Sequence, residues 1–472
     1  MKKIAIIGAG PAGLTAAYLI SKKNIQVDLY EASDSVGGMA KSINLWGQTV
    51  DLGPHRFFSS DPRVNKLWLE ILKKDYDMVN RLTRIYYKQT FFDYPLKPLN
   101  ALFGLGIIES IRCIFSFFFA KFYFFLDKST FEGWVKSKFG TRLFEIFFRS
   151  YSEKLWGISC KKLDSDFAAQ RIKKLSLFEA VKSAFLNSKK NKHKTLVDEF
   201  AYPLKGSGSF YQILMEEFIK YGGNLFLKTP VISAYPHNQN ANKFIIETKD
   251  LKQSYDHVVS TMPLTILVNK INAPKEITSL ASKLKFRNTI LVYLLLDCES
   301  PFPDQWIYVH SSNLKTGRIT NFSNWVPSIK NNQKETIVCL EYWCNEDDLE
   351  WKETDENLIA LAKNEIHQST LVDKKNIIKG SIYRVPRCYP VYSVGYKKNL
   401  IPIEKYLSTF KNLSVIGRYG SFKYNNQDHS ILMGILAADN IINNSNNNLW
   451  ELNTDYEYQE SNKITKTGLI SN

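Results

Sequence analysis

A glycine-rich string set between a buried strand and a helix constrains this chain more than any other feature. Residues 4–8, Ile-Ala-Ile-Ile-Gly, read as a short parallel strand, residues 13–23 as a helix, and residues 25–31 as a second strand. Between the first two stands Gly8-Ala9-Gly10-Pro11-Ala12-Gly13, a G-x-G-x-x-G string in the context that gives it meaning. Gly8 allows the tight turn, Gly10 lets the backbone approach a pyrophosphate, and Gly13 lets helix and strand pack closely. Pro11 and Ala12 stand at the helix N-terminus, whose dipole favours phosphate. Glu31, followed by Ala32, ends the second strand close to the ~20-residue spacing of a carboxylate that accepts from a ribose. A glycine turn without a ligand is a poor account, because three elements agree. Gly37-Gly38-Met39-Ala40 then lets a second loop pass the dinucleotide, and with Glu31 it points to FAD rather than NAD.

Two further strings carry polar chemistry. In Asp51-Leu52-Gly53-Pro54-His55-Arg56-Phe57, Gly53 suits a cofactor contact, and His55 and Arg56 suit a catalytic site facing a flavin and an anionic substrate. An ordinary turn with a solvated arginine accounts for this string equally well. Near the end, Gly417-Arg418-Tyr419-Gly420 follows a short strand at 413–417, and Asp428-His429-Ser430 opens a helix over 430–442. A glycine turn and a helix N-terminus returning to the first unit suit the flavin ring, and Arg418 and Tyr424 suit a substrate phosphate. The seven histidines form no H-x-x-x-H pair and there is no G-x-S-x-G elbow, so no metal site or hydrolytic centre is expected.

The expected fold class is α/β: a Rossmann-like FAD-binding domain of the two-dinucleotide-binding-domain type, a helical domain, and a mixed β-sheet substrate domain. The boundaries read as 1–62 with 205–265 and 400–443 for the FAD-binding domain, 63–204 for the helical domain, 266–399 for the substrate domain, and 444–472 for a polar tail that frays. The 472 residues allow two or three domains, and 44% hydrophobic content supplies a core. Phe115–Leu126 is intensely aromatic but interrupted by charge, so a buried helix is expected; a helix lying on a membrane surface is the alternative. The net charge of +16 favours anionic partners, yet no nucleic-acid motif appears. Cys113, Cys160, Cys298, Cys339, Cys344 and Cys388 form no framework and read as free thiols. With no signal-peptide pattern, a cytoplasmic protein is expected, with peripheral membrane contact as an option.

Taken together, these strings resemble the flavin amine oxidase and protoporphyrinogen oxidase superfamily, within it the UDP-galactopyranose mutase branch. That branch carries a Gly-x-His loop like Gly53-Pro54-His55, a string like Tyr151-Ser152-Glu153-Lys154-Leu155-Trp156, an arginine like Arg171, and a Tyr-Pro pair like Tyr389-Pro390. The segments Trp306-Ile307-Tyr308, Arg318, Asn321-Phe322-Ser323-Asn324 and 417–430 are also similar to it. The strand 289–296 carries no arginine matching the second one those enzymes place on the diphosphate. The resemblance implies Val231 at the cofactor and Tyr151, Trp156, Arg171, Tyr308, Asn321, Tyr389, Arg418 and Tyr424 at a nucleotide-sugar substrate. It implies FAD active in its reduced form, where the flavin is the nucleophile, and an external reductant such as NAD(P)H or a reductase. The implied reaction interconverts pyranose and furanose forms of the sugar, in surface polysaccharide biosynthesis. An FAD oxidoreductase of the amine oxidase or protoporphyrinogen oxidase type is the rival, and a membrane-surface binding protein with a relict flavin site a third reading. No oligomeric state is implied.

Overall fold

The computed structural model describes residues 2–122, 126–166, 199–237, 240–452, 462–465 and 468–471. The opening β-α-β unit is present: strands Lys3–Ile7 and Gln26–Tyr30 pair in parallel, with helix Pro11–Ser21 between them. Three distant segments complete this sheet, in the order Leu413–Val415, His257–Ser260, Lys3–Ile7, Gln26–Tyr30, Asn224–Phe226, all parallel. Lys3–Ile7, Gln26–Tyr30 and His257–Ser260 are buried beyond their first residue, and Leu413–Val415 throughout, because both faces are covered. Helices Gly208–Lys220 and Gln427–Asn443 pack beside Pro11–Ser21. At Gly434 a Cβ would stand 2.5 Å from the Ala12 carbonyl oxygen, so the two helices meet backbone to backbone.

A mixed seven-stranded sheet forms the second layer, in the order Ile377–Pro390, Phe286–Leu296, Thr336–Cys344, Arg318–Asn321, Trp306–Val309, Thr83–Tyr87, Thr90–Asp93. Phe286–Leu296, second from one edge, shows how this sheet separates two cores. Leu291, Tyr293 and Leu295 enter the core shared with the parallel sheet, while Ile290, Val292, Leu294 and Leu296 enter a core on the other face. A three-stranded antiparallel sheet, Ser233–His237, Asn240–Glu247 and Lys252–Tyr255, flanks the parallel sheet.

Three expectations are corrected. Residues 76–93, read as helical, form strands, and Thr83–Tyr87 with Thr90–Asp93 belong to the large sheet. Their two-residue turn, Lys88-Gln89, takes φ of 47° and 61° without the Asn or Gly that normally signals such a hairpin. The described part of the tail is tied down: Asn447 is bonded to Asn440, Lys423 Nζ donates to the Trp450 and Leu452 carbonyls, and Ile464 is buried in the strand Asn462–Thr465, which pairs with Gly468–Ser471; residues 453–461 lie outside the described residues. The aromatic helix is not a buried one. Ile107–Phe119 hides Ser110 and Cys113 and exposes much of the rest. The six cysteines are free thiols, and no described helix is long and apolar enough to cross a membrane.

Candidate active site

The two glycine loops and the returning chain enclose a cavity with about 1260 Å³ of empty space, open solvent included. Its floor is the start of helix Pro11–Ser21. Gly10 caps that helix without a side chain, and Gly10, Pro11 and Ala12 line the cavity. Gly13 lies beneath: a Cβ there would stand 2.0 Å from the Gly8 carbonyl oxygen. Gly38 has φ of +54°, and its Cβ would stand 3.1 Å from Gly10 Cα, so the loops touch where a side chain would fill the groove. The Gly37 N–H donates to the Ala9 carbonyl (2.9 Å). Glu31 locks the corner, accepting from the Ala9 N–H (2.7 Å) and from the Ser33 N–H and hydroxyl (2.9 and 2.8 Å). Ala32 and Val231 do not line the cavity; the segment before Val231 is tied to Glu31 by the Thr229 N–H (2.9 Å).

The second wall is the loop 53–58. Asp51 anchors its start, accepting from Ser42 Oγ (2.6 Å), the Tyr202 hydroxyl (2.8 Å) and the Ser207 N–H (3.2 Å); burial nonetheless pushes its carboxyl up to about 7. Gln427 Nε2 donates to the carbonyls of Arg56 (3.0 Å) and His55 (3.3 Å), fastening the loop to the closing helix. Pro54, His55, Arg56 and Phe58 line the cavity. Burial, reinforced by the nearby cations Arg318 and Arg418, lowers the His55 imidazole to about 3. His55 is therefore a neutral hydrogen-bonding group at ordinary pH.

The closing segment supplies the third wall. Gly417, Arg418, Asp428 and Ser430 line the cavity together with Tyr424 and Asn425. His429 does not. Its Nδ1 accepts from the Asn426 N–H (3.3 Å), completing a capping box for helix Gln427–Asn443. Burial raises the Asp428 carboxyl.

Arg418 is the cation best placed to meet a ligand. Its Nε and Nη1 donate to the Cys388 and Asn425 carbonyls (2.9 and 2.7 Å), and its guanidinium lies 4.9 Å from the Tyr389 ring and 4.5 Å from the Tyr424 ring. Among the described residues no carboxylate lies within ion-pair distance of it. Arg318 also lines the cavity, but Glu341, its direct neighbour on the adjacent strand, binds it in a fork at 2.6 and 2.5 Å. Trp156 is fully buried and backs Tyr389 and Tyr424. Tyr151 supports the cavity-lining Tyr308 edge-on at 5.5 Å and stacks on His310 at 4.9 Å.

Of the residues read from the sequence, His55, Arg56, Gly10, Pro11, Ala12, Gly38, Met39, Tyr308, Gly417, Arg418, Tyr424, Asp428 and Ser430 line this cavity, whereas Gly8, Gly13, Glu31, Gly37, Gly53, Tyr151, Trp156 and Tyr389 do not. Asn321 is a correction. It is fully buried, its amide donates to the Phe302 carbonyl (2.9 Å), and its Oδ1 accepts from Ser323 (3.1 and 2.7 Å), so it holds a turn and does not face the cavity. Arg171 lies outside the described residues. Arg287, two residues before the stretch 289–296 and within the same strand Phe286–Leu296, points into the Lys154 and Trp343 carbonyls (3.1 and 2.6 Å) and does not line the cavity. Thr261, Phe58, Asn425, Gln427 and Glu341 were missed. Gln427 and Asn425 fall within the string already noted, and Thr261 follows a legible strand; Glu341 had no local signal.

The arrangement fits a dinucleotide. An open helix N-terminus faces the cavity, and the groove between Gly10 and Gly38 admits no side chain. His55 Nδ1, Trp306 Nε1 and Asn425 Oδ1, on three cavity-lining residues, are buried without a hydrogen-bond partner. Orphaned polar atoms of this kind call for a bound polar molecule.

Comparison with known proteins agrees. The family model for flavin containing amine oxidoreductase matches residues 11–442. A coproporphyrinogen III oxidase of Staphylococcus aureus is 21% identical over 471 residues, covering 93% of this chain and 99% of that one. A 1-hydroxycarotenoid 3,4-desaturase of a Flavobacterium species is 49% identical over 57 residues, 12% of each chain. Among solved structures, that of a reduced UDP-galactopyranose mutase superposes with a TM-score of 0.82 at 22% identity, covering 94% of both chains. A putrescine oxidase superposes with a TM-score of 0.66 at 14% identity, covering 94% of this chain and 99% of that one. These structural likenesses bear on the fold.

Proposed function

The chain belongs to the flavin containing amine oxidoreductase family and uses FAD, and from that premise we propose that it is a mutase that interconverts the pyranose and furanose forms of a nucleotide-linked sugar. Gly10 and Gly38 would hold the dinucleotide, with Gly8, Gly13 and Glu31 fixing the turn behind them and Gly417 and the start of helix Gln427–Asn443 closing over it. Bound and reduced, FAD supplies an electron-rich ring that acts as a nucleophile.

The observation that carries the reading is Arg418. A guanidinium has five N–H donors, and two are used on backbone carbonyls. The others belong to a cation that, among the described residues, has no carboxylate partner, and that is gripped by Tyr389 and Tyr424 beside the cofactor cradle. Such a group suits a diphosphate, which must be held while the sugar it leaves is rearranged. Arg318, neutralised by Glu341, contributes donors and shape rather than net charge. His55, kept neutral, orients a polar partner and does not compete with Arg418 for the anion.

The second reading, an FAD oxidase, is favoured by the near full-length similarity to an oxidase and by the aromatic lining of Phe58, Trp306 and Tyr308. One experiment separates them. The holoprotein is incubated with UDP- and dTDP-hexoses, as purified in air and after anaerobic dithionite reduction, and ring isomers and peroxide are measured together. The mutase gives many ring-isomer products per flavin only after reduction, and no peroxide. Stoichiometric peroxide without prior reduction would overturn it in favour of the oxidase.

A further inference from the structure

Helices Pro98–Leu105 and Ile107–Phe119 meet at Gly106 and present a large apolar face outward. Phe103, Ile107, Ile108, Phe115, Phe118 and Phe122 are 58–85% exposed, and Ile111, Ile114 and Phe119 extend the same surface. Single exposed apolar residues need no explanation, but a contiguous patch of this size does. The helix is not loosely attached. Ser110 and Cys113 are buried, the Arg142 N–H donates to Ser116 Oγ (3.0 Å), and Arg142 grips Glu109. At Gly140 a Cβ would stand 2.5 Å from the Ser116 carbonyl oxygen, so the helix crosses the next one at close range. Its inner side is pinned while its outer side faces solvent.

Charge selects the occupant. Arg142 and Arg112 both lie on Glu109, with Lys88 adding to the same field, so three cations share one carboxylate beside the patch. Arg112 is 64% exposed, and the whole chain carries +16. A second copy packed symmetrically on this face would bring two such cationic clusters together, whereas an anionic surface would neutralise them. Neither helix is long enough to span a bilayer, and an apolar face with a basic margin is the pattern of a helix lying in the interfacial plane.

We propose that the helical pair 98–122 docks this enzyme on an anionic lipid surface, its apolar side chains entering the headgroup boundary and Arg112 and Lys88 meeting lipid phosphates. This goes beyond the reaction and holds for either chemistry. It also has a geometric consequence. Ile85, Phe92, Cys113, Ile146 and Phe147 form a small core that carries Tyr308 on its edge, and Tyr308 lines the cavity. The docked face is therefore one packing layer from the substrate end of the site.

The test uses FAD-loaded full-length protein and vesicles of phosphatidylcholine alone or mixed with phosphatidylglycerol. The protein should sediment with the mixed vesicles, and less so at high salt. Replacing Ile111, Phe115 and Phe118 together by serine should weaken that partition at least about a hundredfold, with flavin content unchanged. A separate Phe118→Trp variant keeps the apolar face. The emission it gains over the parent should blue-shift on binding and be quenched by brominated lipid. Sedimentation no better than with neutral vesicles, or emission from the Phe118→Trp variant that brominated lipid leaves unmoved, would overturn the proposal. So would a stable solution dimer that the triple serine variant dissociates.

Discussion

Replacing Arg418 by alanine tests the reading of the site most directly. In the structure two of the five guanidinium N–H groups bond the Cys388 and Asn425 carbonyls, and the cation sits between two tyrosine rings. A diphosphate bound by the remaining donors would lose a charge-assisted contact of about 1.5–3 kcal/mol. That corresponds to a rise in the Kd for UDP of roughly 10- to 150-fold. Arg418→Lys should recover only part of it, because an ammonium keeps the charge but loses the fork and much of the ring contact. The variant also strips donors from two backbone carbonyls, so flavin absorbance and thermal midpoint must be followed beside calorimetric titration with UDP. Weaker UDP binding with flavin retained is the expected result. A parent that binds UDP and a flavin-loaded Arg418→Ala variant with the same Kd would refute the assignment.

Two other outcomes follow from the geometry. Gly38→Ala places a Cβ 3.1 Å from Gly10 Cα at φ of +54°, so the purified variant should carry less flavin per protein by absorbance; full occupancy would show that the groove is not the cofactor cradle. His310 is buried against Tyr151 and lowered to about 3, first by burial and then by Lys154. The unfolded chain takes up that proton near pH 6.5 while the folded one refuses it, so stability is present above pH 6.5 and falls toward pH 3, by at most about 1.4 kcal/mol per pH unit. His310→Phe should flatten the fall in urea midpoint between pH 6.5 and 4, and a slope parallel to the parent's would count against it.

How far the chain could be read from its sequence depended on the distance between partners. Gly8 to Glu31 lies within one β-α-β unit, so the glycine spacing and the strand end already specify the turn. The hairpin 83–93 was missed because Lys88 and Gln89 adopt a conformation usually marked by Asn-Gly. Glu341 was missed because its meaning depends on the register that sets it opposite Arg318. Asn321 looked like a substrate residue, yet its amide is used up within its own turn. The aromatic helix reads as buried because its apolar residues run nearly all the way round. Only packing reveals that it has a partner on one side alone.

The parallel sheet has a further consequence, for the making of the protein. It draws strands from residues 3–30, 224–226, 257–260 and 413–415, and the cavity is closed by 417–430. A ribosome adds about 5–20 residues per second, so the roughly 410 residues between Lys3 and Gly417 take on the order of 20–80 s to appear. Throughout that interval the glycine loops exist without the wall that completes them, and Val258 and Val259 await the strand Leu413–Val415 that pairs with theirs. Loading with FAD is therefore a late event, and a chain cut short before Ser430 keeps the nucleotide motif intact while losing the closed site that gives it a use.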